Sequence, residues 1–273
     1  MAKLDLNFHQ TFAPEREHLA RLLTLADKMP FMTKEEIFAA TGIPTGASSG
    51  KVIPHIRYAE YMGLLNVERQ RGRYRLSKTD IGHVIARRDP FLVEPASQLL
   101  CHYCLTSRAG APLWNFVFRE YVPTHGHRVN REDVERSAQI RFGTKVNLTP
   151  FASCYTRDTS FGPLGLLRIS RERAVWCFVP HHYDPSFRYL YAYLLFWEWD
   201  RLAPGTREVT LRDISSSFAW GEAFLWGEKE TLEVLSLLQE LGALQLNRQL
   251  EPVTVIRTMS TDTALNRVFS LLG

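Results

Sequence analysis

The residues of this chain best suited to chemistry are arginines. Arg69, Arg71, Arg73 and Arg75 occupy alternate positions in ERQRGRYRL, with Gly72 among them. A tight turn at Gly72 would project guanidinium groups around its tip, and a guanidinium binds phosphate oxygens in a bidentate fork. Just upstream, Lys51, His55 and Arg57 fall at helical spacing. These seven residues are the candidate DNA-binding set. A second set lies in NFHQTFAPEREHLARLL, residues 7–23, where His9 and Arg16 could meet on one face. An imidazole and a guanidinium together could move a proton and steady a phosphate, so they are the candidate catalytic pair. The same residues have a structural reading, which is the favoured one. His9 or Thr11 would cap a helix opening at Pro14, and Phe8 and Phe12 would dock it on the core.

Other catalytic signatures are missing. Cys101-His-Tyr-Cys104 is a single Cys-x-x-Cys inside an apolar helical pattern, with no second pair at zinc spacing. His125-Gly-His127 and His181-His182-Tyr-Asp184 could ligate a metal only if further carboxylates joined them. Neither a phosphate loop of the Gly-rich Lys-Ser/Thr type nor a nucleophile elbow occurs. No metal site is assigned. The cofactor is unknown, and a divalent metal enters only if the protein cuts DNA.

The elements that must position the arginines recur. YMGLLNVERQRGRYRLS (61–77), PLGLLRISRERAVWCFV (163–179) and ELGALQLNRQLEPVTVI (240–256) each run from a Gly through alternating residues, a polar turn and a second alternating run. Gly63, Gly165 and Gly242 fit the position that ends a helix. The alternation predicts a two-stranded hairpin after each. Thr33-Lys-Glu-Glu36 is a capping box, and Gly42 closes the short helix that it opens. A Gly/Ser-rich loop, Gly46 to Gly50, leads to a second helix carrying Val52, Ile56, Tyr58 and Met62. Helix, helix, hairpin is the winged-helix order. Asn130 onward and Thr210 onward could repeat it. Between them, Glu94–Leu105 and Pro112–Tyr121 show helical spacing, and Pro185–Leu202 is apolar on nearly every side, so that helix is expected to be buried. Tyr193 and Trp197 are expected in its core.

The predicted fold is mainly α with small β-hairpins (α+β), as tandem winged-helix-like modules packed with connecting helices. The expected domains are a winged-helix DNA-binding domain at 1–90, a helical connector at 91–129, a second module with the aromatic helix at 130–203, and a C-terminal module at 204–273. The 273 residues are 45% apolar and 23% charged, which excludes a disordered chain. The net charge of +4 is not spread evenly: residues 1–90 hold fourteen Lys or Arg against ten Asp or Glu, and the remainder balances. Such a focused basic segment suggests one anionic contact face. No signal peptide is read at the start, and YLYAYLLFWEW is too short to span a membrane. Four scattered cysteines suit reduced thiols, so a cytoplasmic location is expected.

His9-Gln-Thr-Phe12, then Arg16 and Leu19, resembles the opening motif of a bacterial family catalogued as a domain of unknown function. That family's motif reads His-Glu-Thr-Phe; its Glu stands as Gln10 here. IRYAEYMGLL (56–65), RLSKTDIGHVI (75–85) and DPFLVEPASQLLCHYCL (89–105) resemble further segments of the family, in the same order, and the likeness extends loosely beyond residue 130. Members resemble components of DNA phosphorothioation and phage-defence gene clusters. The resemblance implies a double-stranded DNA partner, with sulfurtransferase-like and ATPase components as protein partners and no membrane. It further implies a nickase, an endonuclease that opens one strand for sulfur insertion, with a divalent metal. The alternative is a non-catalytic DNA-binding adaptor or transcriptional regulator.

Overall fold

A computed structural model describes residues 5–28, 30–46, 50–170, 174–249 and 251–271. Residues 47–49 of the Gly/Ser-rich loop and 171–173 at the tip of the second hairpin lie outside them. The chain divides into two compact units, Met1–Val179 and Pro180–Gly273. As the sequence predicts, it is mainly α-helical with small antiparallel sheets.

The first unit opens with α1 (Arg16–Leu25), α2 (Lys34–Thr41) and α3 (Val52–Tyr61), followed by β1 (Leu65–Gln70) and β2 (Arg73–Lys78). The capping box is present: the Thr33 side chain accepts from the Glu36 N–H, and Glu36 accepts from the Thr33 N–H. Ile37, Val52, Ile56, Tyr58 and Met62 are buried, so these helices are held by one apolar stripe each rather than by propensity. Gly63 sits at φ +69°, and a Cβ there would meet the Cys104 sulfur. Both facts favour glycine at the turn into β1. Next come α4 (Asp80–Arg88), α5 (Pro95–Thr106), α6 (Pro112–Asn115), a π-helical turn at Phe116–Tyr121 and α7 (Val122–His125). Every residue of α5 except Pro95 is buried. Its Cys101, His102 and Cys104 are therefore core, and His102 bonds the Tyr155 hydroxyl at 2.8 Å.

The rest of the first unit is β3 (Arg128–Asn130), α8 (Arg131–Phe142), α9 (Thr149–Thr156), β4 (Leu167–Ile169) and β5 (Val175–Phe178), with sheet order β3-β5-β4. The second unit contains α10 (Arg188–Leu202), β6 (Glu208–Thr210), α11 (Glu228–Glu240), β7 (Leu244–Asn247), β8 (Thr254–Arg257) and α12 (Thr261–Asn266), with sheet order β6-β8-β7. Its core is the α10 helix. Tyr193 is buried as expected; Trp197 is half-buried under Arg201 instead, and Trp199 is the fully buried tryptophan of this helix.

One pattern therefore occurs three times. A short extended segment pairs with the second strand of its own hairpin through a buried apolar residue: Met32 with Tyr74, Val129 with Trp176, Val209 with Val255. The next residue caps a run of helical turns. Thr33 accepts from Glu36, Asn130 from Glu132 and Thr210 from Asp213. After those turns come a glycine at positive φ (Gly63, Gly165, Gly242) and then the hairpin.

Candidate nucleic-acid interface

The first hairpin closes through Gln70 and Arg73, leaving Arg71 and Gly72 as its two-residue turn. Their φ values are +48° and +77°. Positive φ at both central residues makes this a type I′ turn, whose twist matches that of the strands it joins. Nothing lies within 4 Å of a Cβ built on Gly72, so the glycine serves the backbone angle alone. Arg71 takes the other strained position and is exposed. Its side chain has no partner among the described residues.

The other six candidate cations are engaged. Lys51 pairs with Glu15 at 2.5 Å. Arg57 is held by Glu60 at 2.5 Å and by Asp5 at 3.2 Å, over the Tyr61 ring. Arg69 closes on the same Glu60. Arg73 bonds the Phe31 carbonyl at 2.9 Å and Glu36 at 3.0 Å. Arg75 lies 3.8 Å from Glu68. His55 is fully buried. Its Nδ1 faces the Lys51 carbonyl at 2.7 Å, and its Nε2 accepts the Glu15 N–H at 3.0 Å. Burial pushes its pKa down to about 4, against the backbone bond that would raise it. At neutral pH it carries no charge for a phosphate; it holds α3 to the start of α1. Exposed ion pairs are weak, about 0–1 kcal/mol each, so Arg69, Arg73 and Arg75 can exchange a carboxylate for a phosphate at small cost.

The opening segment is built differently from a cap. The helix starts at Arg16, not Pro14; its N-cap is Glu15, and no side chain caps it. Its free N–H groups go to tertiary partners instead: Glu15 to His55 and Arg16 to the Thr159 carbonyl, 2.9 Å away. Phe8 sits in an aromatic cluster with Tyr58, Tyr61 and Trp114. His9 is fully buried, edge-on to Phe8 and Trp114, with Nδ1 2.8 Å from the Gln10 carbonyl. Desolvation lowers its pKa. The Arg16 guanidinium bonds the carbonyls of Leu92 and Asp158. Of the two candidate catalytic groups, His9 is thus buried, and Arg16 is half-buried with its guanidinium engaged by backbone carbonyls.

Cations outside the sequence-derived set also reach the surface. Arg87 and Arg88 end α4, and Arg128, Arg157 and Arg168 are exposed in the second repeat. None of the five has an ion-pair partner among the described residues. A charge count cannot find Arg128, Arg157 and Arg168, because residues 91–273 are neutral in sum; what distinguishes all five is that no described acid pairs with them. Among the described residues no group of three or more His, Cys, Asp and Glu could hold a metal ion.

No protein-family model matches the chain, and no curated protein matches it in sequence. In structure it is similar to two crystal structures of SspB. One, with a bound magnesium ion, has a TM-score of 0.73, and the other 0.74. Each is 19% identical, and each match covers 97% of this chain and 86% of that chain. At that identity the likeness is one of fold.

Proposed function

We propose that this chain is the DNA-binding component of a bacterial DNA phosphorothioation and anti-phage defence system, and that it nicks one strand for modification. The observation that carries the DNA reading is the thrice-repeated unit of paired strand, helical turns and hairpin, whose first copy presents Arg71 on the tight turn of the hairpin that follows α3. That order is the winged-helix order, in which the second helix and the wing meet the duplex. On this reading the α3 surface and the 65–78 hairpin form the contact face, within an N-terminal module of residues 1–90. The ordered motifs shared with the phosphorothioation-cluster family support the system. The fold shared with SspB over nearly the whole chain supports a role for all the repeats. Sulfurtransferase-like and ATPase components would be the protein partners.

A second reading, a DNA-binding adaptor without chemistry of its own, is favoured by one observation. His9 is buried against Phe8 and Trp114, and the Arg16 guanidinium is engaged by the Leu92 and Asp158 carbonyls. Magnesium, present in one SspB structure, is not matched here by a cage of three protein ligands among the described residues. Supercoiled plasmid incubated with the purified protein, with and without magnesium, separates the two readings. Conversion to open circles supports the nickase. A plasmid that is bound but stays supercoiled supports the adaptor, and a plasmid that is neither bound nor cut rejects both.

A further inference from the structure

We infer that a cleft in the second repeat, between α9 and the β4–β5 pair, is a phosphate-binding subsite. It has a volume of about 680 Å³, within the range of pockets that hold small organic ligands. Thr149, Ser153 and Arg157 line one wall. Thr149 and Ser153 are one turn apart on α9, and Arg157 is the extended residue that follows its last turn. Arg131, the first residue of α8, and Ser170, at the end of β4, face them. Trp176 is the floor, buried and stacked on Phe151 at 5.6 Å.

Three features give this cleft its sign. Its described lining has two guanidiniums and no carboxylate. Neither guanidinium has a hydrogen-bond or ion-pair partner among the described residues, and the Arg131 Nε is buried without an acceptor. Hydroxyls of Thr149 and Ser153 stand beside them as further donors. An oxyanion bound there would be met by charge-assisted donors that no protein group now uses. The frame is also fixed. The Arg157 carbonyl accepts from both Ser160 and Gly162, and the Arg131 N–H donates to Ala174. In the first repeat, Arg57 and Arg69, on α3 and β1, both close on Glu60, and Arg57 also pairs with Asp5. Among the described residues that line it, the cleft of the second repeat has the cations without a carboxylate.

The ligand class is a phosphate group. Its source as a nucleic-acid backbone rests on the DNA reading above; its chemistry does not. The experiment is binding of a short labelled duplex by fluorescence anisotropy over a salt series, comparing wild type with the Arg131→Gln/Arg157→Gln double variant. Loss of two phosphate contacts should weaken binding at least ~10-fold at low salt and reduce the salt slope by up to about two units. A folded double variant with unchanged affinity and slope overturns the site. If the double variant does not fold, exposed Arg157→Gln alone should remove about one unit, and no change in it overturns the site equally. If wild type binds no duplex, the DNA reading fails on its own. Calorimetry with inorganic phosphate and pyrophosphate then decides: binding that Arg157→Gln abolishes keeps the subsite with a small phosphate as its ligand, and no binding by wild type rejects it.

Discussion

Arg16 reaches across the first unit to Asp158: its Nη2 lies 2.5 Å from the Asp158 carbonyl, 142 residues along the chain. Its Nη1 donates to the Leu92 carbonyl at 3.0 Å, and its backbone N–H donates to Thr159. One residue thus fastens the start of α1 to two distant loops. This explains why the chain keeps polar groups before a helix that no side chain caps. The donors are spent on tertiary carbonyls.

Arg16→Ala should therefore act on stability. It leaves two carbonyl acceptors without their charged donor, which costs on the order of 3 kcal/mol. Nicking or DNA binding per folded molecule should be unchanged. Urea unfolding followed by circular dichroism checks the first part and a plasmid assay the second. Normal unfolding with abolished nicking would return Arg16 to the catalytic role.

Much of this architecture was legible beforehand, and the reason is local. The Thr33/Glu36 box, the helix-ending glycines Gly63, Gly165 and Gly242, and the alternation after them each encode their own element within a few residues. The third pairing strand was not legible, because Met32, Val129 and Val209 each contribute a short bridge or strand too brief to have a period. The start of α1 was misplaced because Pro14 is a good first-turn residue in isolation, while the partners of the Glu15 and Arg16 N–H groups are His55 and Thr159, which no local rule can find. The surroundings of the site residues were the least legible. Arg69 and Arg71 look alike in ERQRGRYRL, yet one is paired with Glu60 and the other is open, and only the fold decides which.

His9→Ala tests the same segment from its apolar side. The side chain is enclosed by Phe8 and Trp114, so its loss leaves a cavity rather than an uncapped helix. The expected cost is about 2–4 kcal/mol, larger than a cap would give. A thermal melt of the variant measures it. A melting temperature equal to wild type, together with lost nicking, would place His9 in the chemistry.

The hairpin arginines should not contribute equally to DNA binding. Arg71 is open, whereas Arg69 and Arg73 must leave Glu60 and Glu36 first. Arg71→Ala should by itself lower the salt slope of binding by about one unit. The Arg69/Arg71/Arg73 triple alanine variant should lower it by up to about three, with the last two contributing less affinity per contact. Anisotropy titrations across a salt series read both values. A triple variant with the wild-type slope would show that this hairpin does not touch DNA.

In the second unit, Trp199 and Trp197 should separate on truncation. Trp199 is fully buried and donates its indole N–H to Thr206 at 2.9 Å. Trp197 is half-buried against Arg201, 4.6 Å from its ring. Trp199→Ala should cost about 3–5 kcal/mol. Trp197→Ala should cost about half as much, because less of its area leaves water on folding. Equal losses in parallel urea titrations would reject this ordering.

The last prediction concerns acid. His55 must be neutral in the fold: its Nε2 accepts the Glu15 N–H, and a protonated ring would present a donor to a donor. Its pKa therefore drops from the ordinary 6.5 to about 4, chiefly through burial. The unfolded chain binds this proton at higher pH than the folded chain does. The stability that the neutral ring contributes is present in full above about pH 6.5. It declines as pH falls through the window down to about 4, by on the order of 3 kcal/mol for this group. His9 and His18 are shifted in the same direction by desolvation, so they steepen the same limb. Unfolding free energies from urea titrations at several pH values across that window should fall steadily with acid. His55→Gln should start from lower stability at neutral pH, since it loses the bond to Glu15, and should show a shallower decline. An acid limb as steep in the variant as in wild type would assign the proton uptake to the other histidines and leave the α1–α3 contact indifferent to pH.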